Sequence, residues 1–337
     1  MKTISVVTPC YNEEGNVLEV YERVRTVMRS LGRYRYEHIF IDNCSNDNTF
    51  AILKSIAAGD PNVKIIRNTR NFGPVRSPMH GLIQACGDAV IVMYADLQDP
   101  PELITDLVAH WENGVPIVIA IKNQSKEHSL MYWLRGRYYK LVRRLSSIET
   151  YEHFTGFGLY DRKVMDMVRQ FRDPYPYFRG MIAEIGLPHE TVYYTQQLRK
   201  SGKSKIDLFA LYDIAMLGIT TLSKVPLRAM TFTGFAGAMM SFVSGLVYFV
   251  YKLLYWNRFS VGIAPLVFGV FFLGSLQMAF VGIIGEYIGN IFTLVQNRPL
   301  VFEDERINFE HGCGMPLAEA PFAVKSAKTT VESVKGN

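Results

Sequence analysis

The sequence lacks the patterns on which several common function classes depend. Its 337 residues include only four cysteines, none of them paired as CxxC, so we expect reduced thiols and neither a zinc nor a disulfide framework. There is no GxGxxG fingerprint and no GxxxxGKS/T loop, which removes the usual support for a dehydrogenase or an ATPase. The apolar run at the amino terminus is short and soon meets Pro9, Asn12 and Glu13. We therefore do not expect it to be a signal peptide.

The first 121 residues alternate short apolar runs with segments of helical period. Apolar runs at 4–8, 38–41, 63–67, 89–93 and 116–122 predict five strands, and the segments between them predict helices. This order predicts an α/β fold, with a mainly parallel sheet and helices on both faces. Ligands of such sheets bind beyond the carboxyl ends of the strands. Those ends read PCYNEE, IDNCSND, NTRNFG and YADLQD, which predicts a polar site at one edge of the sheet.

The stretch VMYADLQDPPEL, residues 92–103, carries the most specific chemistry. Asp99 precedes a proline and is expected to cap a helix over residues 100–113, because Asp is a good N-cap and proline suits a first helical turn. A capping role for Asp99 does not explain the presence of Asp96 and Gln98.

Asp96 and Gln98 are two residues apart. Residues two apart in an extended chain point to the same side, so both would offer oxygen to one cation. The pair predicts a Mg²⁺ or Mn²⁺ site completed by substrate phosphates and water.

Two long stretches without charged residues distinguish the carboxyl-terminal third. One has 23 residues, between Arg228 and Lys252, and the other has 27, between Arg258 and Glu286. As helices they would reach roughly 34 and 40 Å, enough to cross a hydrocarbon core of ~30 Å. Two buried core helices are the alternative. Their length and the aromatic residues near their ends favour a membrane-spanning hairpin.

Basic segments precede this hairpin. Residues 126–146 carry Arg135, Arg137, Lys140, Arg143 and Arg144 among apolar residues, which fits either an ordinary surface helix or a helix lying at a membrane surface. The segment RKSGKSK, residues 199–205, is followed by an apolar stretch and then by Lys224 and Arg228. Cations just outside the first span favour a cytoplasmic location for that side.

Taken in order, the motifs VVTPCYNEEGNV, IDNCSNDNT, RNFG, ADLQDPPEL and RKSGKSK, with GEYIGNIF in the hairpin, resemble the family 2 glycosyltransferases of the polyprenyl-phosphate type. That family includes dolichol-phosphate mannose synthase and bactoprenol glucosyltransferases. The resemblance covers about residues 3–300, and the order and spacing of the motifs are together far more specific than any one of them. It implies a GT-A fold that transfers a sugar, with inversion, from a nucleotide diphosphate to polyprenyl phosphate.

The resemblance also implies roles for individual residues. The residues expected to bind the nucleotide are Pro9, Tyr11, Asn12, Glu13, Asp42, Asn43, Arg70 and Asp96. The metal is expected at Asp96 and Gln98, and the phosphate of the acceptor at Lys122, Arg199, Lys203 and Lys205. Catalysis is expected to depend on Asp96, Arg199 and Lys205, with Glu152 as a competing general base for a hydroxyl acceptor.

Purely structural alternatives stay open for some of these residues. Asn12 or Glu13 would serve equally well as a cap of the first helix, and residues 47–49 as a cap of the second. The cations of residues 199–205 would also suit lipid headgroups.

Three positions depart from the family's pattern. Where members often have Asp-x-Asp, this chain has Tyr94-Ala95-Asp96, and where they often have two acids before Gly-Ser, it has Asp42-Asn43-Cys44-Ser45. Where many have Gly-Asp-Phe-Arg, it has Thr155-Gly156-Phe157-Gly158, so an acid and an arginine are missing from the acceptor side. The two glycines are expected to mark a close approach of the backbone.

The expected architecture is a GT-A glycosyltransferase domain over residues 1–205, an interfacial segment over 206–228, two transmembrane helices over 229–292 and a poorly ordered tail over 303–337. We expect a metal-dependent hexosyltransferase of the inner (cytoplasmic) membrane, multi-pass, with its catalytic domain on the cytoplasmic side, that contributes to cell-envelope glycan synthesis. Its expected partners are a UDP-linked nucleotide sugar, polyprenyl phosphate and the membrane. No nucleic acid is expected, and a homo-oligomer stays open. Two other functions also stay open: transfer to another lipid or glycan acceptor, and a non-catalytic membrane subunit that binds a sugar nucleotide.

Overall fold

The computed structural model describes residues 1–124, 154–171, 173–196, 216, 225–255, 263–296 and 298–309. Its strands are β1 (Thr3–Cys10), β2 (Arg35–Asp42), β3 (Val63–Asn68), β4 (Ala89–Val92), β5 (Ile117–Gln124), β6 (Phe154–Asp161), β7 (His189–Thr195) and β8 (Glu303–Ile307). Its helices are α1 (Val17–Ser30), α2 (Thr49–Gly59), α3 (Gly73–Gln84), α4 (Ile104–Glu112), α5 (Arg162–Val168), α6 (Phe178–Ile185), α7 (Val225–Leu254) and α8 (Ile263–Gln296).

The strands form one mixed sheet in the order β7-β5-β6-β4-β1-β2-β3-β8. Strands β1 to β4 pair in parallel, as do β5 and β7, whereas β6 runs antiparallel to both β4 and β5, and β8 antiparallel to β3. Six strands therefore share one direction, which confirms the predicted mainly parallel sheet. The sequence did not predict β6, β7 or β8, and β6 separates β5 from β4.

Helices cover both faces of the sheet, as predicted, because side chains of successive strand residues point to opposite faces. In β1, Ile4 and Val6 belong to the apolar cluster beneath α1, α2 and α4, whereas Val7 belongs to the cluster beneath α3, α5 and α6. Each fully buried aliphatic side chain of this kind contributes about 1.5–3 kcal/mol. The two clusters hold the strand ends in fixed positions relative to one another.

The helix predicted over residues 100–113 is shorter than expected, and Asp99 does not cap it. A 3-10 turn at Pro101–Leu103 precedes α4, and the residue at its amino end, Pro100, has no side-chain hydrogen bond to it. The Asp99 carboxylate instead accepts a hydrogen bond from the Tyr194 hydroxyl on β7. The capping prediction is wrong because a partner distant in the sequence takes this carboxylate.

The apolar helices α7 and α8 are 30 and 34 residues long. They contain candidate membrane spans at Val225–Val247 and Phe272–Gln296, of which 6% and 0% are buried. Large apolar side chains such as Phe232 are mostly exposed, so the alternative of two buried core helices is wrong. The two helices contact each other near Gly234 and Phe280. The predicted boundary between residues 228 and 229 falls inside α7.

After α8 the chain returns to the sheet through residues 298–309, which we call the return segment. Strand β8 pairs with β3, and the Asn308 side-chain amide donates to the carbonyl oxygens of Ala57 and Val63 at 2.8 and 2.9 Å. The predicted poorly ordered tail is therefore wrong for Glu303–Ile307, while residues 310–337 lie outside the described part. Because β8 is an edge strand rich in charge, its sequence shows no apolar alternation.

An ionic cluster fixes the return segment to α3. Glu303 pairs with His80 of α3 and with Arg306 of its own strand. Burial raises the pKa of the Glu303 carboxyl, but its hydrogen bonds to His80 and Arg306 outweigh that effect and lower the pKa to about 2. The carboxylate is thus ionised at neutral pH, and it connects α3 to β8 through its hydrogen bonds to His80 and Arg306.

The cysteines differ from expectation at one position. Cys10 and Cys44 are free thiols, as expected. Cys86 is disulfide-bonded, so the expectation of reduced thiols is wrong there.

Candidate active site

The carboxyl ends of the parallel strands bring most of the predicted site residues to one edge of the sheet. Pro9 lies near the end of β1 and Asp42 ends β2, and the loops after β1, β2, β3 and β4 carry Tyr11, Asn12, Glu13, Asn43, Arg70, Asp96 and Gln98. Lys122 lies near the same end of β5. Four predicted residues lie outside the described part of the chain: Glu152, Arg199, Lys203 and Lys205.

The loops after β1 and β2 interlock through hydrogen bonds. The backbone N–H of Asn12 donates to Ser45 Oγ at 2.8 Å, and the N–H of Asn46 donates to Asn12 Oδ1 at 2.7 Å. The N–H of Glu13 donates to Thr49 Oγ1 at 2.8 Å. The two loops therefore form one unit that presents Tyr11, Asn12 and Glu13 along the edge.

The helix starts use part of the same unit. The N-cap of α1 is Asn16, and no side chain caps that helix, so the capping alternative is wrong for Asn12 and Glu13. Asp47 does engage the start of α2, because its carboxylate accepts a hydrogen bond from the N–H of Thr49 at 3.0 Å. The Glu13 carboxylate accepts a hydrogen bond from the Asn16 side-chain amide at 2.6 Å, at the edge of the site.

Asp42 is fully buried at the end of β2. Its carboxylate accepts hydrogen bonds from both the N–H and the hydroxyl of Ser45, and Arg67 Nε lies 3.8 Å away. Burial raises the pKa of Asp42, while the Ser45 hydrogen bonds and the Arg67 charge lower it. This geometry indicates a carboxylate that shapes the loop over residues 43–46.

Asn43 connects the loop after β2 to the end of β3 and to the loop that follows β3, rather than facing open space. Its side-chain amide donates to Asn71 Oδ1 at 2.9 Å and to the Gly73 carbonyl oxygen at 3.3 Å. Its Oδ1 accepts from the Asn68 side chain at 3.0 Å and from the N–H of Phe72 at 2.9 Å. All the hydrogen-bonding capacity of this amide is used inside the protein. Its geometry is that of a positioning residue for the loop after β3.

Left-handed backbone conformations recur at this edge. Among the described non-glycine residues, four have a positive φ, and three of them lie in loops after β1, β2 and β4: Asn12, Cys44 and Leu97. Such conformations cost free energy and concentrate at functional sites, where the surrounding structure enforces them.

The backbone conformation of Leu97 sets the positions of Asp96 and Gln98. Strand β4 ends at Val92, and Leu97 has φ 56°, so the prediction that Asp96 and Gln98 project from an extended strand is wrong. The Leu97 side chain is buried in the core, which holds this turn. The N–H of Gln98 donates to Asp96 Oδ1 at 3.2 Å, and Gln98 Oε1 accepts from the Gln196 side chain at 2.8 Å. A tight turn, not strand alternation, places these two oxygen-bearing side chains together.

A buried carboxylate underlies this turn. Asp99 is 4% exposed, and this burial raises the pKa of its carboxyl. The negative charge of Asp96 also raises that pKa, whereas the Tyr194 hydrogen bond and the positive charge of Lys122 lower it. Lys122 on β5 and Asp96 in the loop after β4 each lie close enough to the Asp99 carboxylate to act on its charge.

Arg179 is a site residue that the sequence did not predict. Burial raises the pKa of the Tyr94 phenol, and the positive charge of Arg179 opposes that effect. The Arg179 guanidinium also donates to the Phe154 carbonyl oxygen at 3.0 Å, at the start of β6. No sequence motif indicated Arg179. Its position depends on the pairing of β6 with β4 and β5, which the sequence did not predict.

Comparison with known proteins identifies the family. The profile described as Glycosyl transferase family 2 matches residues 5–169. A Bacillus subtilis protein named "Uncharacterized glycosyltransferase YkcC" is 32% identical over 91% of this chain and 95% of its own length. The "SfII prophage-derived bactoprenol glucosyl transferase" of Shigella flexneri is 34% identical over 88% of this chain and 96% of its own length. This chain belongs to glycosyl transferase family 2.

Among solved structures, a mannosyltransferase from Pyrobaculum calidifontis in complex with GDP-Man and Mn²⁺ is 13% identical to this chain, with a TM-score of 0.43. The match covers 88% of this chain and 87% of that one.

Within the described residues, no group of three or more His, Cys, Asp and Glu side chains could hold a metal ion without further ligands. A carboxylate at Asp96 beside the Gln98 amide fits a cation that takes its other ligands from substrate phosphates and water. Because Gln98 Oε1 already accepts from Gln196, Asp96 is the stronger candidate ligand. A bound Mg²⁺ or Mn²⁺ would neutralise charge on a leaving diphosphate.

The two glycines that replace an acid and an arginine in this glycosyltransferase are explained by the geometry of β6. Gly156 has φ 104°, which side chains rarely adopt, and its carbonyl oxygen accepts from the Tyr160 hydroxyl at 2.8 Å. A Cβ at Gly158 would lie 2.5 Å from the Val118 carbonyl oxygen. The expected close backbone approach is confirmed at Gly158, which leaves no room for a side chain there.

Proposed function

We propose that this glycosyltransferase moves a sugar, with inversion, from a UDP-linked donor to polyprenyl phosphate for cell-envelope glycan synthesis. The observation that carries the proposal is the order of the elements along the chain. The polar edge with Asp96 and Lys122 belongs to the same sheet as β8, and β8 follows two long, exposed apolar helices. Such an arrangement would let a soluble donor meet a lipid acceptor. The name of the Shigella flexneri relative, a bactoprenol glucosyl transferase, supports this acceptor class.

The proposed reaction is a single displacement. A phosphate oxygen of the acceptor attacks the anomeric carbon from the face opposite the leaving group, and the bond to the nucleotide diphosphate breaks. A phosphate monoester has a second pKa near ~6 and is largely a dianion at neutral pH. It therefore needs cations more than a base, which fits a chain with Gly156 in place of an acid and with Lys122 and Arg179 at this edge.

The direct test is an assay of the purified full-length protein with a panel of nucleotide sugars and undecaprenyl phosphate, following the glycolipid product and its anomeric configuration. We expect a β-linked lipid phosphate from an α-linked UDP-sugar. Product formation only from GDP-linked sugars would overturn the donor assignment. Product formed only on a sugar hydroxyl would overturn the acceptor assignment.

Two substitutions separate a phosphate acceptor from a hydroxyl acceptor. Glu152→Gln should leave turnover within a few-fold, because a dianion needs no general base, whereas Arg199→Ala should sharply raise the lipid KM or lower kcat. Both are measured as kcat and KM across a pH series. A loss of ~10²-fold or more in Glu152→Gln, together with a lost basic limb of the pH–rate profile, would instead identify a general base and a hydroxyl acceptor.

We also propose that the catalytic domain and both outer ends of the hairpin face the cytoplasm, where nucleotide sugars are made. The return segment supports a shared side for the sheet and the end of α8. Only six residues separate Gln296 from Glu303, and they reach at most ~25 Å, less than the ~30 Å hydrocarbon core. The end of α8 and β8 therefore cannot lie on opposite sides of a bilayer.

Labelling at the connector tests this topology. In intact cells, Asn257→Cys should react with a membrane-impermeant thiol reagent, because the connector between the two spans would face outward. The protein with its native cysteines only is the matched control and should not react. Labelling of Asn257→Cys that requires permeabilised cells would rule out the hairpin orientation.

A further inference from the structure

Three arginines come together where α8 joins the α/β domain: Arg70, Arg76 and Arg298. The guanidinium carbon of Arg70 lies 4.1 Å from the centroid of the Phe72 ring, and that of Arg76 lies 5.2 Å from it. Arg76 also donates to the Pro299 carbonyl oxygen at 2.7 Å, next to Arg298 in the chain. We call these three residues the arginine cluster.

The cluster carries positive charge that the described residues do not neutralise. Within the described ranges, no carboxylate lies within 4.0 Å of any of the three guanidinium groups. The acids of the neighbouring return segment point elsewhere: Glu303 pairs with His80 and Arg306, and Asp304 with Arg67. Burial lowers the pKa of Arg76, and the charges of Arg70 and Arg298 lower it further. Cations held together in this way favour binding of an anion.

The position of the cluster indicates where that anion comes from. Arg298 lies two residues beyond Gln296, the last residue of the second candidate span. Basic side chains immediately outside a span lie at the depth of the phospholipid headgroups. Guanidinium groups bind phosphate through paired N–H donors, so three of them suit a headgroup phosphate.

The cluster is too far from Asp96 to hold the phosphate that reacts. The Arg70 loop follows β3, and the Asp96 turn follows β4, which is three places away in the order β4-β1-β2-β3. At ~4.8 Å between neighbouring strands, the ends of β3 and β4 are roughly 14 Å apart. We therefore treat a lipid bound at the cluster as distinct from the lipid that would accept the sugar at Asp96.

We propose that the arginine cluster binds the headgroup phosphate of an anionic phospholipid in the leaflet that faces the catalytic domain. The bound lipid holds the edge of the sheet at a fixed height above the bilayer, since Arg76 connects that edge to the end of α8. This inference rests on the membrane hairpin of the proposed function. It does not depend on the donor or the acceptor.

The test measures phospholipid retention by the full-length protein. The protein is purified in detergent, exposed to mixed micelles of phosphatidylglycerol and phosphatidylcholine, washed, and analysed for bound lipid by native mass spectrometry. We expect selective retention of phosphatidylglycerol and about a fivefold weaker affinity for Arg298→Gln, with a larger loss when Arg76→Gln is added. Arg298→Lys should keep part of the affinity. Arg35→Gln is the matched control, because Arg35 is an exposed arginine at the amino end of β2, away from the carboxyl ends of the strands. This substitution should not change the affinity for phosphatidylglycerol.

Three results would overturn the proposal. The first is equal retention of phosphatidylcholine and phosphatidylglycerol. The second is an unchanged phosphatidylglycerol affinity in both the Arg298→Gln and the double variant. The third is that these variants bind UDP more weakly but retain lipid as well as the unchanged protein does. Thermal unfolding of each variant checks its fold, and Arg298 is exposed, so Arg298→Gln alone remains informative if the double variant is unstable. If phosphatidylglycerol is not selectively retained but sugar transfer to undecaprenyl phosphate is normal, the lipid site is wrong and the proposed function stands. If phosphatidylglycerol is selectively retained but no sugar is transferred, the proposed function is wrong and the lipid site stands.

Discussion

Asp96→Asn should lower kcat/KM by about 10²- to 10³-fold while the protein still folds and inserts into the membrane. The expected loss reflects the charge that Asp96 contributes, with its cation, to a leaving diphosphate. The fold should survive because Asp96 is partly exposed, and the asparagine oxygen still accepts the N–H of Gln98. The measurement is sugar transfer to undecaprenyl phosphate at several Mg²⁺ and Mn²⁺ concentrations.

Two matched variants complete this experiment. Asp106→Asn removes an exposed carboxylate on α4 and should leave activity unchanged. Gln98→Ala should cause a milder loss than Asp96→Asn, because the turn keeps its backbone hydrogen bond to Asp96. Near-normal turnover of Asp96→Asn in either metal would show that the assignment of Asp96 as the metal ligand is wrong.

Gly158→Ala should destabilise the α/β domain by about 3 kcal/mol, one of the largest effects expected of a single methyl group. The new Cβ would lie 2.5 Å from the Val118 carbonyl oxygen and 3.3 Å from the Ile119 Cα. Both are backbone atoms of β5, so the contact is relieved only by moving β6 away from its neighbour. The midpoint of thermal unfolding in detergent should fall by roughly 6–12 °C.

Gly59→Ala is the control for this substitution. Gly59 is the last residue of α2, and a Cβ there has no neighbouring atom within 4 Å. Its unfolding midpoint should stay close to that of the unchanged protein. Equal midpoints for Gly158→Ala and Gly59→Ala would mean that β5 and β6 are not packed as described. The same crowding leaves no room for an arginine side chain at position 158.

The sequence by itself determined the parallel half of the sheet, the polar edge and the two long apolar helices. These features follow from local patterns, since a buried parallel strand is apolar throughout and a membrane span is long and uncharged. The residues of β1 to β4 and the loops after them were therefore identified with only small errors in their bounds. The turn that holds Asp96 and Gln98 was not predicted, and their role as metal ligands stays a prediction.

Only the tertiary structure decided which strands are neighbours and which polar groups are already engaged. Strand β6 separates β4 from β5, and β8 pairs with β3 although Asn68 and Glu303 are far apart in the sequence. The same long-range packing buries Asp42, commits the Asn43 amide to the loop after β3, and brings Arg179 beside Tyr94. A hydrophobic pattern records whether a residue is buried but not its partner, because the partner is chosen by contacts that form only when distant segments pack together.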